Sequence, residues 1–128
     1  MNIDEANEIV LKGFKYQKEH LDIWRVLDTT KKTFSGDCED YGFTLLWLIC
    51  DRNIKKFADT ILSGKAKMWS CDTPYGKHAI LEYDNVFCDN IERQWKSMRY
   101  YANLDYKFRH TYNPYLIFYK LAFSAVFK

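Results

Sequence analysis

The chain has 128 residues, 48% of them hydrophobic and 18% aromatic, and a net charge of +2. This is enough for one domain with a real core, and it excludes a disordered chain. The near-balanced charge comes without a basic block or a Lys/Arg stripe with interleaved aromatics, which argues against a nucleic-acid partner. Met1 to Glu5 is acidic and polar, so it does not read as a signal peptide. The longest apolar run, Tyr115 to Phe127, is interrupted by Lys120 and Ser124 and falls short of the roughly 20 residues of a membrane span. The expectation is a cytoplasmic protein with reduced thiols. No CxxC spacing occurs among the four cysteines, and His20, His78 and His110 are far apart, so a structural zinc site is not expected.

In chain order, Asn2 and Glu5 resemble a capping box, and the spacing of Ile3, Ala6, Val10, Phe14 and Gln17 predicts a first helix from Ile3 to about Glu19. Leu21 to Asp28, with Trp24, reads as a mixed connection and Thr29 to Gly36 as a polar loop. Cys38 to Cys50 is apolar on nearly all sides and predicts a buried helix ended by Asp51-Arg52-Asn53. Ile54 to Leu62 predicts an amphipathic helix closed by Gly64. Strands follow over Lys65 to Cys71, Lys77 to Tyr83 and Val86 to Asp89, separated by turns at Asp72 to Gly76 and Asp84-Asn85. Ile91 to Met98 has no clear signal. Beyond Tyr100 the tail is aromatic-rich, and Asn113-Pro114 could cap a last helix with Pro at its first position, or precede a strand.

The stretch that carries chemistry is Ser35-Gly36-Asp37-Cys38-Glu39-Asp40-Tyr41-Gly42. Asp37 is a good N-cap, which puts Cys38 in the first turn of the buried helix. Free N–H groups and the positive end of the helix dipole favour a thiolate there. Cys50, Cys71 and Cys88 read instead as small core residues. Downstream, His78 and Asp89 complete the order Cys, His, Asp expected of nucleophilic thiol catalysis. The hairpin allows a geometric check. A two-residue turn at Asp84-Asn85 sets Tyr83 opposite Val86 and Ile80 opposite Asp89, so His78 and Asp89 are diagonal neighbours on one face. Asp89 can then hold the imidazole in one tautomer. A three-residue turn would break this arrangement.

These residues resemble the bacterial transglutaminase-like cysteine proteinases, a branch of the transglutaminase-core, papain-like superfamily. The matching pieces are Asp22-Ile23-Trp24, the Gly36-Asp37-Cys38-Glu39-Asp40-Tyr41 run, His78-Ala79-Ile80-Leu81, Cys88-Asp89-Asn90-Ile91 and, more loosely, Tyr112-Asn113. The resemblance implies an α+β papain-like fold, in which a buried helix carrying the nucleophile packs on an antiparallel sheet of at least three strands. It implies a Cys38-His78-Asp89 triad. It also implies calcium at Asp37 and Glu39, for which carboxylate oxygens are suitable ligands. Asp37 can equally be only an N-cap, and Glu39 a first-turn acid matched to the helix dipole. Gly42 and Cys88 depart from the family pattern. The Lys-, Tyr- and Phe-rich composition suits a phage or prophage product.

The resulting expectation is a cysteine peptidase or amidase that cleaves a peptide or amide bond of a protein or peptide substrate through a thioester. The Cys38 backbone N–H and the Trp24 indole N–H are candidate oxyanion donors, although Trp24 reads equally well as a core aromatic. Two alternatives stay open. One is a transglutaminase-type acyl transferase, since the same acyl-enzyme can meet an amine. The other is a catalytically idle binding protein of this fold that sequesters a host factor. The apolar C-terminal segment has to be covered, either by the chain's own core or by a protein partner.

Overall fold

A computed structural model of the chain describes residues 1–18 and 23–126. The expectations that involve Glu19, His20, Asp22 and Phe127 fall outside these residues. The fold is α+β, with five helices and a four-stranded antiparallel sheet among the described residues. The order is α1 (Ile3–Gly13), β1 (Phe14–Tyr16), β2 (Phe34–Gly36), α2 (Cys38–Ile49), α3 (Ile54–Leu62), β3 (Ala66–Thr73), β4 (Gly76–Tyr83), β5 (Val86–Cys88), α4 (Met98–Asn103), β6 (Lys107–Thr111) and α5 (Pro114–Val126). The sheet runs β5-β4-β3-β6, and β1 and β2 form a separate parallel pair.

Helix α2 is the centre of the packing. Nine of its residues are buried, which matches its apolar sequence. It lies against one face of the sheet, whose strands contribute Met68, Ala79, Leu81 and Cys88 to the main core. Gly42 lets α2 come close to the sheet: a Cβ there would lie 2.5 Å from the Met68 methyl. The opposite face carries a second cluster of Cys71, Ile80, Phe87, Tyr101 and Tyr106. Strand β4 is thus covered on both sides, as its near-continuous apolar run requires.

Several boundaries differ from the sequence reading. The first helix stops at Gly13, because Phe14 turns extended and pairs with Phe34 across β1 and β2. Part of the expected loop before Cys38 is therefore strand. The β3–β4 turn shortens to Pro74-Tyr75, with Thr73 opposite Gly76. At Asp84 and Asn85 both φ angles are positive, 49° and 70°, as a tight two-residue hairpin turn requires. The register places Tyr83 opposite Val86. Pairing ends at Cys88, so Asp89 stands one residue beyond the strand. Helix α4 and strand β6 carry no periodic signal in the sequence; α4 is held by Tyr101, buried in the second cluster, and β6, mostly exposed, by pairing with β3. The α2 and α3 spans agree with expectation within a residue.

The C-terminal segment is a helix. Asn113 Oδ1 caps it by accepting from Tyr115 N at 2.8 Å. Its own core covers one side only: Ile117 is buried, and Phe118 and Leu121 pack on the main core, while Tyr115, Leu116, Tyr119 and Phe123 stay exposed. No helix among the described residues is long and apolar enough to cross a membrane. Truncation after Asn113 removes Ile117, Phe118 and Leu121 from the core, at roughly 1.5–3 kcal/mol each. The truncated chain is expected to lose its cooperative thermal transition. A cooperative melt near the full-length midpoint would show that α5 is dispensable to the fold.

Candidate active site

Two turns of chain meet at the end of the sheet. The first is the start of α2. Asp37 is the N-cap and accepts from Asp40 N at 3.1 Å, while Asp40 returns the bond by accepting from Asp37 N at 3.2 Å, a complete capping box. Asp40 is fully buried, and Arg25 secures it from the other side, with the backbone N–H at 2.8 Å and the guanidinium at 3.3 Å. One turn on, Thr44 accepts from Leu27 N at 2.8 Å. The segment around Arg25 to Leu27 is thereby laid along α2. Gly36 is required by this packing, since a Cβ there would lie 2.6 Å from Asp40 Oδ2 and 2.7 Å from Asp40 Cβ.

The second turn is the loop after β5. His78 Nε2 lies 2.7 Å from Asp89 Oδ2. The two side chains meet as the hairpin parity argues, although the ladder ends at Leu81 opposite Cys88 and Asp89 lies one residue beyond it. Asp89 is only 1% exposed, and its other oxygen, Oδ1, accepts from Glu92 N at 2.8 Å and from the Tyr101 hydroxyl at 3.1 Å. A buried carboxylate needs such donors to offset its desolvation. The Tyr106 ring stands edge-on to the imidazole at 6.2 Å. The loop is tied in turn to α1: Asn7 Nδ2 donates to Arg93 O at 2.9 Å, the Tyr41 hydroxyl donates to Asn7 Oδ1 at 2.7 Å, and Trp95 Nε1 donates to Ile3 O at 2.9 Å.

Cys38 and His78 line one cleft of about 290 Å³, together with Tyr16, Tyr75, Lys77 and Asn90. Cys38 Sγ accepts from Ala79 N at 3.4 Å, next to His78 in sequence, and donates to Glu39 Oε2 at 3.1 Å. The thiol is thus turned to Glu39 rather than bonded to His78. The electrostatics also differ from the sequence expectation. Burial pushes the Cys38 thiol above its ordinary value, and the Glu39 carboxylate adds to this; the Ala79 N–H opposes it. The helix start that was expected to favour a thiolate also concentrates acids. Asp37 itself is pushed up to about 8 by burial and by the Asp40 and Glu39 carboxylates. Burial raises Tyr16, and the charges of Cys38, Asp37 and Glu39 add to this. Cys38 is nonetheless the cysteine with access to solvent, since Cys50, Cys71 and Cys88 are buried.

Trp24 is not among the residues that line this cleft. It is buried, stacked on Tyr112 at 5.0 Å and against Phe43 at 5.6 Å, with the Lys120 ammonium 5.5 Å over its ring. It packs as a core aromatic. The acids proposed for calcium are spent on protein contacts: Asp37 caps α2, while Glu39 accepts from Cys38 and, at 3.4 Å, from the Tyr112 hydroxyl. Among the described residues, no group of three or more His, Cys, Asp or Glu side chains could hold a metal. These two carboxylates alone do not supply the six to eight oxygens calcium takes.

Tyr101, Asp40 and Asn90 were not singled out from the sequence. Tyr101 carried no signal, because its helix has none. Asp40 showed only as part of the Gly-Asp-Cys-Glu-Asp run, and Asn90 read as a turn residue beside Asp89. Comparison with known protein families, curated proteins and solved structures finds no match to the chain.

If Glu39 holds the thiol protonated, Glu39→Gln lowers the thiol's pKa and raises its reactivity. Alkylation of Cys38 by iodoacetamide at pH 7, followed by mass spectrometry, is expected to be several-fold faster in Glu39→Gln than in the wild type. An equal or slower rate would show that Glu39 does not suppress ionisation.

Proposed function

We propose that the protein is a cysteine peptidase or amidase with Cys38 as nucleophile, His78 as general base and acid, and Asp89 as the residue that orients His78. The observation that carries this reading is the 2.7 Å contact of His78 Nε2 with the buried Asp89, made from beneath a cleft that His78 and Cys38 both line. Asp89 occupies Nε2, which leaves Nδ1 as the basic nitrogen of the ring. A helix-borne cysteine beside a strand-borne histidine supports the papain-like arrangement implied by the transglutaminase-like resemblance.

In this reading Cys38 turns from Glu39 and passes its proton to His78 Nδ1. Sγ bonds to the substrate carbonyl carbon, and the oxyanion draws on N–H groups of the first turn of α2, which a helix leaves unpaired. The carbon–nitrogen bond breaks as His78 returns the proton to the leaving amine. Water, deprotonated by His78, then attacks the thioester, releasing the acid and restoring the thiol. An amine in place of water gives acyl transfer by the same route. The thiol's raised pKa and its bond to Glu39 favour one further reading, a scaffold of this fold in which Cys38 rests protonated and the cleft only binds.

The test is incubation with a protease-generated peptide library and mass spectrometry of the products. Wild type is expected to create new peptide termini that Cys38→Ala does not. His78→Ala is expected to be about as severe as Cys38→Ala, since residues acting as a unit are not additive. Asp89→Asn is expected to keep a residual rate. Products carrying an added primary amine rather than water would move the assignment to acyl transfer. Equal product sets from wild type and Cys38→Ala would remove the thiol mechanism.

A further inference from the structure

Asn90 follows Asp89 directly, is 7% exposed and lines the cleft that holds Cys38 and His78. Its Oδ1 is buried and has no hydrogen-bond donor. A buried carbonyl oxygen without a donor destabilises the fold and is rare. Such an atom beside reactive groups calls for a partner that arrives with the ligand. The backbone of Asn90 is fixed, since its carbonyl accepts from Arg93 Nε at 2.7 Å. A rotation about the soft terminal torsion of the side chain would present Oδ1 to the cleft.

The chemistry of the missing donor can be narrowed. Asn90 is neutral, and Lys77 lines the same cleft, so this end does not select a cation. The walls beside it are Tyr16, Tyr75 and Ile91, each with much of its side chain exposed. They suit the apolar flanks of an extended chain. A neutral N–H next to a scissile carbonyl, flanked by side chains, is a peptide amide.

We propose that Asn90 is a substrate-binding residue whose Oδ1 accepts the N–H of a peptide amide adjacent to the bond being cut, so that the site takes peptides in preference to analogues lacking that N–H. The proposal rests on the cysteine-peptidase reading and names its substrate class. A site built to pair an N–H discriminates against ligands without it, because its own acceptor is then left unpaired.

The test uses the full chain and three reagents, with Cys38 modification followed by mass spectrometry. N-acetyl-alanine chloromethyl ketone carries the amide N–H beside the reactive carbon, its N-methyl analogue lacks it, and methyl methanethiosulfonate reports thiol reactivity alone. Wild type is expected to react at least tenfold faster with the N–H reagent than with the N-methyl one. In Asn90→Ala that ratio is expected to fall to about one, with the methanethiosulfonate rate within twofold of wild type. Asn90→Asp, which keeps an acceptor at the same place, is expected to retain the preference. A wild-type ratio near one, or a ratio unchanged in Asn90→Ala, overturns the proposal. So does a parallel fall of all three rates, which marks a structural role. If methanethiosulfonate modifies Cys38 no faster than Cys50, Cys71 and Cys88, the nucleophile assignment itself has failed.

Discussion

The carboxylate of Asp89 is the constraint around which this site is arranged. Removing an ionised carboxylate from water costs several kcal/mol unless donors replace the lost solvent. Three donors do so here: the His78 ring, the Glu92 amide and the Tyr101 hydroxyl. They come from β4, the loop after β5, and α4. The hairpin has to keep its register for His78 to arrive, and the 98–106 region has to fold onto the second cluster for Tyr101 to arrive. Asn7 and Trp95 then tie the same loop to α1. A small number of satisfied polar groups thus links most of the chain to the orientation of one imidazole.

The other half of the site is under opposite pressures. A complete capping box, together with Arg25 on Asp40, fixes the start of α2. The cost of that rigidity is a crowd of carboxylates around Cys38. The helix dipole and the Ala79 N–H favour a thiolate, while burial and the Glu39 charge disfavour it, and the balance lies with the thiol. In this state the Cys38 thiol rests protonated beside Glu39. In the proposed function, a substrate entering the cleft displaces that contact, and Asn90, with its unmet acceptor, lines the same cleft.

Much of this was legible in the sequence where the signal is local. Asp37 announces the N-cap, the apolar run after it announces a buried helix, and Asp84-Asn85 announces a two-residue turn. From that turn alone the parity of His78 and Asp89 follows. What was not legible depends on tertiary partners. Phe14 to Tyr16 carries a helical pattern but pairs with Phe34 to Gly36, because a partner strand outcompetes weak propensity. Helix α4 is set by the burial of Tyr101 and strand β6 by its ladder with β3, neither by periodicity. The same holds for Tyr101, Asp40 and Asn90, whose roles are properties of their contacts. For Trp24 the sequence left two readings open, an indole donor at the site and a core aromatic, and the structure places the ring in the main core.

In the proposed function, Asp89 fixes His78 with its proton on Nε2 and leaves Nδ1 as the basic nitrogen. Long-range ¹H–¹⁵N correlation spectra of the ¹⁵N-labelled protein read the tautomer of that ring directly. At a pH where the ring is neutral, a protonated Nε2 and a bare Nδ1 are expected for His78 in the wild type, with a loss of that preference in Asp89→Asn. A neutral ring protonated on Nδ1, or a tautomer indifferent to the Asp89 substitution, would contradict it.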